Sequence, residues 1–155
     1  MDPAQFRQLL GHFATGVTII TVNGEGNRPQ GMTASSLASV SLHPPLVSVC
    51  IDHAATMHDA IVASPVFVVN ILESAQEALS RRFADQHDDR FDGVGYHRSP
   101  EGLVLLDGAL AHVECERYAV HPGGDHSIVL GRVIGGSTGE GHPLLYYRGG
   151  YASLG

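Results

Sequence analysis

The sequence of 155 residues contains no lysine, because its nine basic residues are all arginine. Without lysine, a Schiff base to pyridoxal phosphate, the lysine of a P-loop and a serine–lysine nucleophile pair are excluded. Long apolar runs are absent as well, since none reaches the roughly 18 residues of a membrane helix. Met1 to Arg7 also lacks the order of charged and apolar residues found in signal peptides. These absences predict a cytoplasmic protein that does not enter a membrane.

Positive charge and cysteine are scarce. Sixteen acidic residues against nine basic ones give a formal charge of -7, which is the wrong sign for a surface that binds nucleic acid. Cys50 and Cys115 are too far apart in the sequence for a metal-binding pair or a CxxC redox motif. One disulfide between them is not excluded, but buried free thiols are the favoured state.

Apolar periodicity predicts mostly strands in one domain that spans residues 1–155. A short amphipathic helix is expected at Pro3 to His12, and a capping box of Ser74 and Glu77 predicts a helix that ends near Ala84. Gly31 to Ser41 and Asp85 to Glu101 are expected to be loops. Strands are predicted at Val17 to Val22, at Leu46 to Ile51, at Val66 to Leu72, from Ala109 onward, at Ser127 to Ile134 and at Leu144 to Tyr147.

These six or more strands, with only a few short helices and no alternation of strand and helix, predict a mainly β fold. The expected form is a closed or nearly closed antiparallel barrel. The strand Val66 to Leu72 is apolar at nearly every position, so we expect it at the centre of the sheet, buried on both faces.

Motifs for several common chemistries are missing. Ten histidines are present, but no HExxH motif or close Cys/His set accompanies them, so no metal site is expected. No GxSxG motif supports a hydrolase. Gly135 to Gly141 precedes Pro143 instead of opening a helix, which excludes a Rossmann loop and favours a hairpin turn. The sequence therefore predicts no residue that acts as a catalytic nucleophile or proton donor.

Two short segments could bind a planar ligand. In Gly31 to Ser36, small residues would allow close approach of the backbone, and the hydroxyl groups could bond to ring atoms. Gly124 to His126 places an imidazole in a turn. On composition alone an ordinary polar turn is the favoured interpretation of Gly31 to Ser36, and Gly124 to His126 could equally be just a turn, so neither segment identifies a function alone.

The order and spacing of these segments together resemble the flavin reductase-like family of FMN-binding split barrels. These are the small reductase components of two-component flavin monooxygenases. The resemblance covers Phe6 to Leu154. The matching segments are FATGVTIIT (Phe13 to Thr21), GMTASS (Gly31 to Ser36), SVSLHPPLVSVCI (Ser39 to Ile51), VNIL (Val69 to Leu72), RRFA (Arg81 to Ala84), GDH (Gly124 to His126) and PLLYYRGGY (Pro143 to Tyr151).

The resemblance implies a Greek-key split barrel, a homodimer and a flavin at the dimer interface. The residues that match the family's flavin contacts are Met32, Thr33, Ala34, Ser35, Ser36, Cys50, Ile51, Asp52, Thr56, Arg82, Phe83 and Ala84. The residues that match its nicotinamide contacts are His126, Tyr147, Arg148, Gly149 and Tyr151. After Ile51 the family commonly has serines and a threonine that bind the phosphate or ribityl chain, whereas here only Thr56 retains a hydroxyl group.

The function implied is transfer of a hydride from NADH or NADPH to FMN or FAD, with delivery of the reduced flavin to a partner oxygenase. The chemistry belongs to the two cofactors, and the protein stacks their rings. One alternative is a non-enzymatic FMN-binding or electron-carrier protein of the same fold, and another is a ligand-binding barrel without a redox role. NADPH is not excluded, because Arg148 or Arg98 could meet its 2'-phosphate.

Overall fold

The structure, a computed structural model, describes residues 1–85 and 87–155. Within them the chain forms three α-helices: α1 (Pro3–Leu10), α2 (His58–Ala63) and α3 (Glu77–Ala84). At the start of α1, the Gln5 amide donates to the Asp2 carboxylate at 2.9 Å, and the Asp2 amide donates to Gln5 Oε1 at 3.3 Å. This capping box and the proline in the first turn stabilise the end of an otherwise exposed helix. The predicted N-terminal helix is confirmed.

The described residues also form twelve strands, and seven of them make one antiparallel sheet in the order β3-β2-β6-β9-β10-β5-β4. Strands β1, β11 and β12 form a second sheet, and β7 pairs with β8. The strands are β1 (Thr15–Gly16), β2 (Thr18–Asn23), β3 (Pro29–Ala34), β4 (Ala38–Leu42), β5 (Pro45–Asp52), β6 (Val66–Ile71), β7 (Tyr96–Arg98), β8 (Val104–Leu106), β9 (Ala111–Gly123), β10 (His126–Thr138), β11 (Leu145–Tyr147) and β12 (Gly150–Ala152).

The seven-stranded sheet curls into a barrel that is split between its two edge strands, β3 and β4. Only residues 35–37 connect these strands, and three residues span no more than roughly 14 Å. The edges of a flat sheet of seven strands would stand roughly 29 Å apart. The short connection therefore requires the sheet to curve until its edges nearly meet, and the predicted mainly β split barrel is confirmed.

Two apolar clusters lie on opposite faces of the central strands. Phe67 and Val69 of β6 belong to the cluster inside the barrel, together with Val49, Val129 and Cys115. A second cluster contains Ile19, Leu72 and Phe83, and packs α3 against the outer face. β6 is buried on both faces and lies inside the sheet, as its apolar sequence predicts.

Asn70 is the buried polar residue that joins β6 to its neighbours. Its Nδ2 donates to the Ile19 carbonyl at 2.9 Å and to Thr21 Oγ1 at 3.0 Å, and its Oδ1 accepts from the Leu106 amide at 3.0 Å. Because all these groups are paired, the amide fixes β8 over β2 and β6 without an unsatisfied polar atom.

Two predicted loops are strands in the structure. Gly31 to Ser41 forms the end of β3 and most of β4, with only residues 35–37 outside a strand. The glycine-rich segment that begins at Gly135 continues β10 as far as Thr138 instead of turning. These two predictions were wrong because pairing with neighbouring strands outweighs the low strand propensity of glycine and serine. The loop predicted from Asp85 to Glu101 is a loop in its described residues, apart from the three-residue strand β7.

The helix before residue 85 ends at Ala84 as predicted, but its capping box is different. Glu73, not Ser74, accepts from the Ala75 amide at 2.7 Å, while Gln76 Oε1 accepts from the Glu73 amide at 2.9 Å. Hydrogen bonds from Ser74 and Ala75 lower the pKa of the Glu73 carboxyl. No helix in residues 1–85 or 87–155 is long and apolar enough to cross a membrane.

Candidate functional site

The split in the barrel brings together the ends of β3 and β5. We call this gap, bridged by residues 35–37, the seam. Ser36 closes it from one side, because its Oγ accepts from the Cys50 amide at 2.9 Å and donates to the Cys50 carbonyl at 3.2 Å. The Ser36 side chain thus makes the two hydrogen bonds that a neighbouring strand would otherwise make to Cys50. These bonds hold residues 35–37 against β5.

Backbone groups at the seam point away from the rest of the sheet. The Gly31 carbonyl accepts from the Arg90 side chain, which places the backbone polar groups of Gly31 on the outer edge of β3. Since these groups alternate along an antiparallel strand, Thr33 presents its own on the same edge. The backbone amide and carbonyl of Cys50 face the seam, because both bond to the Ser36 hydroxyl. Backbone groups two residues apart on a strand face the same side, so the Asp52 amide also faces the seam. The Asp52 carbonyl accepts from the Ala55 amide, so the seam offers the amide and carbonyl of Thr33 on β3 and the amide of Asp52 on β5.

Thr33 connects the seam to α3 and to the C-terminal strand. Its hydroxyl donates to the Ser80 carbonyl at 2.6 Å. The Ser80 hydroxyl lies 2.7 Å from the Tyr151 hydroxyl, and the Arg81 guanidinium lies 4.8 Å from the centre of the Tyr151 ring. Tyr151, predicted from the sequence as a nicotinamide contact, is therefore held one side chain away from Thr33, a predicted flavin contact.

Arg90 is a site residue that the sequence analysis missed. It is 5% exposed, and its two terminal nitrogens donate to the Gly31 carbonyl at 2.7 Å and to Thr56 Oγ1 at 3.2 Å. Its Nε is buried and has no hydrogen-bond partner within the described structure. Burial lowers the pKa of this guanidinium, and the charges of Asp85 and Asp88 oppose that effect. The arginine thus brings a largely buried positive charge beside Thr56.

The sequence gives only a weak signal for Arg90. The residue stands among four aspartates of residues 85–92, a composition typical of an exposed loop. Phe91, which follows it, is the one apolar residue of that segment and packs edge-on against Phe83 with ring centres 4.9 Å apart. An aromatic residue directly beside an arginine in a charged loop is the pattern that could have indicated burial.

Arg82 builds the loop that carries Arg90. Its Nε donates to the Arg90 carbonyl at 2.6 Å, and its Nη2 donates to the carbonyls of Asp89 and Asp92, both at 2.8 Å. Three bonds to three carbonyls fix the curvature of this loop. Arg82 was predicted to lie near a flavin phosphate, and in the structure it supports the loop that carries Arg90.

The side chains of four predicted flavin contacts face the protein interior. Phe83 and Ile51 are at most 1% exposed, and Met32 packs against the cluster inside the barrel. Ala34 is 9% exposed in that cluster, whereas Ala84 and Ser35 are exposed. Ile51 and Met32 therefore shape the seam through their backbone positions, and Phe83 supports it from below.

His126 stands directly across from Asp52, because the two residues are register partners in the pairing of β10 with β5. Its Nδ1 lies 2.7 Å from Asp125 Oδ1. The hydrogen bond and the charge of His126 lower the pKa of the Asp125 carboxyl, with a smaller contribution from His53. The predicted nicotinamide histidine is thus a neighbour of the seam, with its imidazole oriented by a carboxylate.

Arg148 and Gly149 lie elsewhere, in the turn between β11 and β12. Their φ angles of +50° and +78° form the turn, and the Arg148 amide donates to the Gly11 carbonyl at 2.9 Å. They line a cleft at the end of α1, whereas His126 lines a separate cleft at its beginning, and Arg7 borders both. Within one described chain, the predicted nicotinamide residues therefore do not share a single cavity.

Arg98, considered from the sequence as a contact for a 2'-phosphate, is occupied by other groups. Its guanidinium donates to Asn23 Oδ1, to the Gly102 carbonyl at 3.0 Å and to the Asn27 carbonyl at 2.8 Å. Asn23 ends β2 at the far end from Thr18, which bonds to Ala34 beside the seam. Arg98 therefore lies away from the seam.

The described residues contain two free thiols and no metal cluster. Cys115 is buried and Cys50 is half-buried, and no disulfide joins them. Burial, together with the charge of Glu114, raises the pKa of Cys115 to about 12. No group of three or more His, Cys, Asp or Glu side chains in residues 1–85 and 87–155 is arranged to hold a metal ion.

Comparison with known proteins gives consistent matches over nearly the whole chain. The profile of the family described as flavin reductase like domain matches residues 10–155. The reductase subunit of a flavin-dependent monooxygenase from Rhodococcus jostii is 43% identical over 155 residues, which cover 99% of this chain and 79% of that protein. An NADH-dependent FAD reductase from Streptomyces globisporus is 43% identical over 96% of this chain and 84% of that protein.

A solved structure gives the same match in three dimensions. The NADH:FAD oxidoreductase of Streptomyces globisporus, in complex with NAD and FAD fragments, superimposes with a TM-score of 0.94 at 42% identity. The match covers 99% of this chain and 93% of that one.

Proposed function

The chain belongs to the flavin reductase-like domain family, and from this membership we propose that it is an NADH-dependent flavin reductase. It oxidises NADH, reduces FMN or FAD, and supplies the reduced flavin to a separate flavin-dependent monooxygenase. The observation that carries the proposal is the seam. The outer edge of β3 and the C-terminal end of β5 border it, with Arg90 bound to the Gly31 carbonyl of β3 and His126 paired across from Asp52 of β5.

The seam suits the polar edge of a flavin ring. Such an edge alternates donors and acceptors, and the outward backbone groups of Thr33 and Asp52 have no strand partner on this side. Ser35 is exposed beside them, and Ser36 holds Cys50 in place. These residues bind and orient the ring, and the bond between Thr33 and Ser80 keeps β3 fixed against α3.

The flavin phosphate lies at Arg90 and Thr56. The terminal nitrogens of Arg90 donate to the Gly31 carbonyl and to Thr56 Oγ1, so the guanidinium charge lies beside the Thr56 hydroxyl, where it attracts a phosphate. Thr56 supplies the hydroxyl that remains where the family commonly has several. Gly31 holds the guanidinium by its carbonyl, so β3 positions both the ring contacts and the phosphate contact.

His126 binds the nicotinamide nucleotide across from Asp52. The bound nucleotides supply the chemistry, in which nicotinamide C4 gives a hydride to flavin N5 and solvent supplies a proton. Asp125 orients the imidazole through Nδ1, which leaves Nε2 available to the ligand. The roles of Tyr147, Arg148, Gly149 and Tyr151 as further nicotinamide contacts stay predictions, as does a cytoplasmic location.

A homodimer is part of the proposal. No residue of α1 is buried, and Phe6, Leu9 and Leu10 are each more than half exposed. Strands β9 and β10 pair with each other along their length, and we call this pair the β9–β10 arm. Its residues Tyr118 and Ile134 add further exposed apolar surface. Surface of this kind favours burial against a second copy. Analytical ultracentrifugation tests this point, since a monomer at micromolar concentration would contradict it.

One assay tests the proposed activity against a non-enzymatic carrier. The purified protein is mixed with NADH and an excess of free FAD or FMN, and loss of the nicotinamide absorbance is followed in air. We expect many NADH molecules to be oxidised per chain, with dependence on added flavin. Oxidation of one NADH per chain or none would contradict a reductase and favour a carrier or a plain binding protein.

A further inference from the structure

A cleft lies next to Arg90 on the side away from the seam. It has a volume of about 240 Å³. Its walls are residues 28–31 at the start of β3, residues 56–57 before α2, and His87, Asp88, Arg90 and Phe91 of the loop that Arg82 holds. Arg90 is the residue through which this cleft meets the proposed phosphate position.

The cleft extends along β3 beyond the proposed phosphate position, in the direction that leads from Thr33 through Gly31 to Arg28. β3 rises about 3.3 Å per residue, so Gly31, which holds Arg90, lies about 7 Å from Thr33 at the ring end. Arg28 and Pro29 lie a further two to three residues along, or about 7 to 10 Å. A flavin mononucleotide that places its ring at Thr33 and its phosphate at Arg90 ends there. The part of the cleft from Gly31 to Arg28 then stays unfilled.

The charges beside Arg90 suit a phosphate with a single charge. A phosphate monoester such as that of FMN carries about -1.5 to -2 at pH 7, whereas each phosphate of the FAD pyrophosphate is esterified on both sides and carries one charge. Asp88 lines this cleft together with Arg90, and Asp85 lines an adjoining cleft with it. These carboxylates disfavour a second negative charge on the same phosphate.

The outer part of the cleft has groups that match the rest of FAD. Arg28 is exposed on its rim and can reach a second phosphate or stack on an adenine face. Asp88, also on the rim, can accept from ribose hydroxyl groups, which carboxylates commonly bind in nucleotide sites.

On the basis of the proposed function, we infer that the cleft between Arg28 and Asp88 binds the adenylate half of FAD, so that this chain prefers FAD to FMN. Arg90 and Thr56 then hold the phosphate next to the ribityl chain, and Arg28 holds the outer phosphate. Asp88 selects for FAD in two ways, by binding the ribose and by repelling the dianionic end of FMN.

Equilibrium binding of oxidised FAD, FMN and ADP to the whole protein, measured by isothermal titration calorimetry, tests the inference without any turnover. We expect the Kd for FAD to be about tenfold below that for FMN, and ADP to compete with FAD. Arg28→Ala should raise the Kd for FAD about tenfold and reduce the FAD preference by the same factor. The control is Arg132→Ala, which removes an exposed arginine that pairs with Glu116 on the β9–β10 arm.

Asp88→Asn provides a second variant that acts in the opposite direction. It should lower the Kd for FMN and raise the Kd for FAD. Both changes reduce the ratio of the two Kd values, which measures the preference for FAD. Equal Kd values for FAD and FMN, or an equal loss of both in Arg28→Ala, would overturn the adenylate site while the reductase proposal stands if NADH still reduces both flavins. Failure to bind or reduce either flavin would overturn both.

Discussion

Gly31 is a single residue whose replacement tests both the packing and the site. An ideal Cβ at this position would lie 2.9 Å from the Ile20 carbonyl oxygen and 3.3 Å from Phe83 Cε1 and from Thr21 Cγ2. The first contact is with backbone of the adjacent strand β2, which cannot rotate away. Gly31→Ala must therefore displace β3 or its neighbour.

The expected loss of stability follows from two opposing effects. Forcing extra volume into a packed site costs roughly 1–3 kcal/mol, whereas replacing glycine by alanine restricts the unfolded chain and returns roughly 0.5–1 kcal/mol. The net loss is about 1–2 kcal/mol. For a chain of this size, about 2–4 °C of melting temperature corresponds to each kcal/mol, so we expect Tm to fall by roughly 2–8 °C.

The same change should weaken flavin binding. The Gly31 carbonyl accepts from Arg90 at 2.7 Å, and a displaced β3 loosens a hydrogen bond to a charged group, which contributes about 1.5–3 kcal/mol. We expect the flavin Kd to rise about tenfold, which corresponds to the lower end of that range. Thermal unfolding followed by circular dichroism and flavin titration by calorimetry measure the two effects.

Gly139→Ala is the matched control. A Cβ at Gly139 would lie 3.5 Å from its nearest neighbour, an ordinary contact, and the residue follows β10 away from the seam. Its Tm and flavin Kd should stay close to those of the wild type. If Gly31→Ala were as stable as this control and bound flavin as well, the link from β3 through Arg90 to the ligand would be refuted.

Three further predictions concern other residues of the site. His126→Ala should raise the KM for NADH about tenfold and change the flavin Kd by less than about twofold, and equal effects on both would contradict its assignment to the nicotinamide. Thr33→Val should weaken flavin binding severalfold because β3 loses its bond to α3, whereas Thr33→Ser, which keeps the hydroxyl, should bind normally. At pH 8 a thiol reagent should modify only Cys50 in the folded protein, and bound flavin should slow this reaction. Cys115 should react only after unfolding, because burial raises its pKa to about 12; rapid modification of both thiols would refute this.

The strongest sequence patterns predicted the scaffold correctly. Val66 to Leu72 is apolar at every position except Asn70 and forms β6 inside the sheet, and the helix that begins at Pro3 has its proline and capping residues at its first turn. Local residue preferences decide such elements, because burial and capping act within a few residues of chain. The resemblance of GMTASS and GDH to the flavin reductase-like family then pointed to the residues that border the seam and to His126.

The missed features depend on contacts between distant parts of the chain. β3 contains Gly31 and other small residues with little strand propensity, and it forms because β2 supplies the ladder. Arg90 lies in an acidic segment whose composition indicates an exposed loop, yet Gly31 and Thr56, from elements far away in sequence, bury it. Phe91 beside Arg90 is the one local sign of that burial, and the partners that complete both features lie far away in the sequence.

An incomplete barrel has a measurable consequence for backbone dynamics. The amides of Thr33 and Asp52 face a gap instead of a neighbouring strand, so in the free protein they should exchange their hydrogens with solvent much faster than those of buried β6. A ligand that occupies the gap would act as a missing strand for these amides. Ligand binding should therefore slow deuterium uptake at the Thr33 amide and at the Asp52 amide together. The exchange rates of these two amides would then measure how much of the seam is occupied.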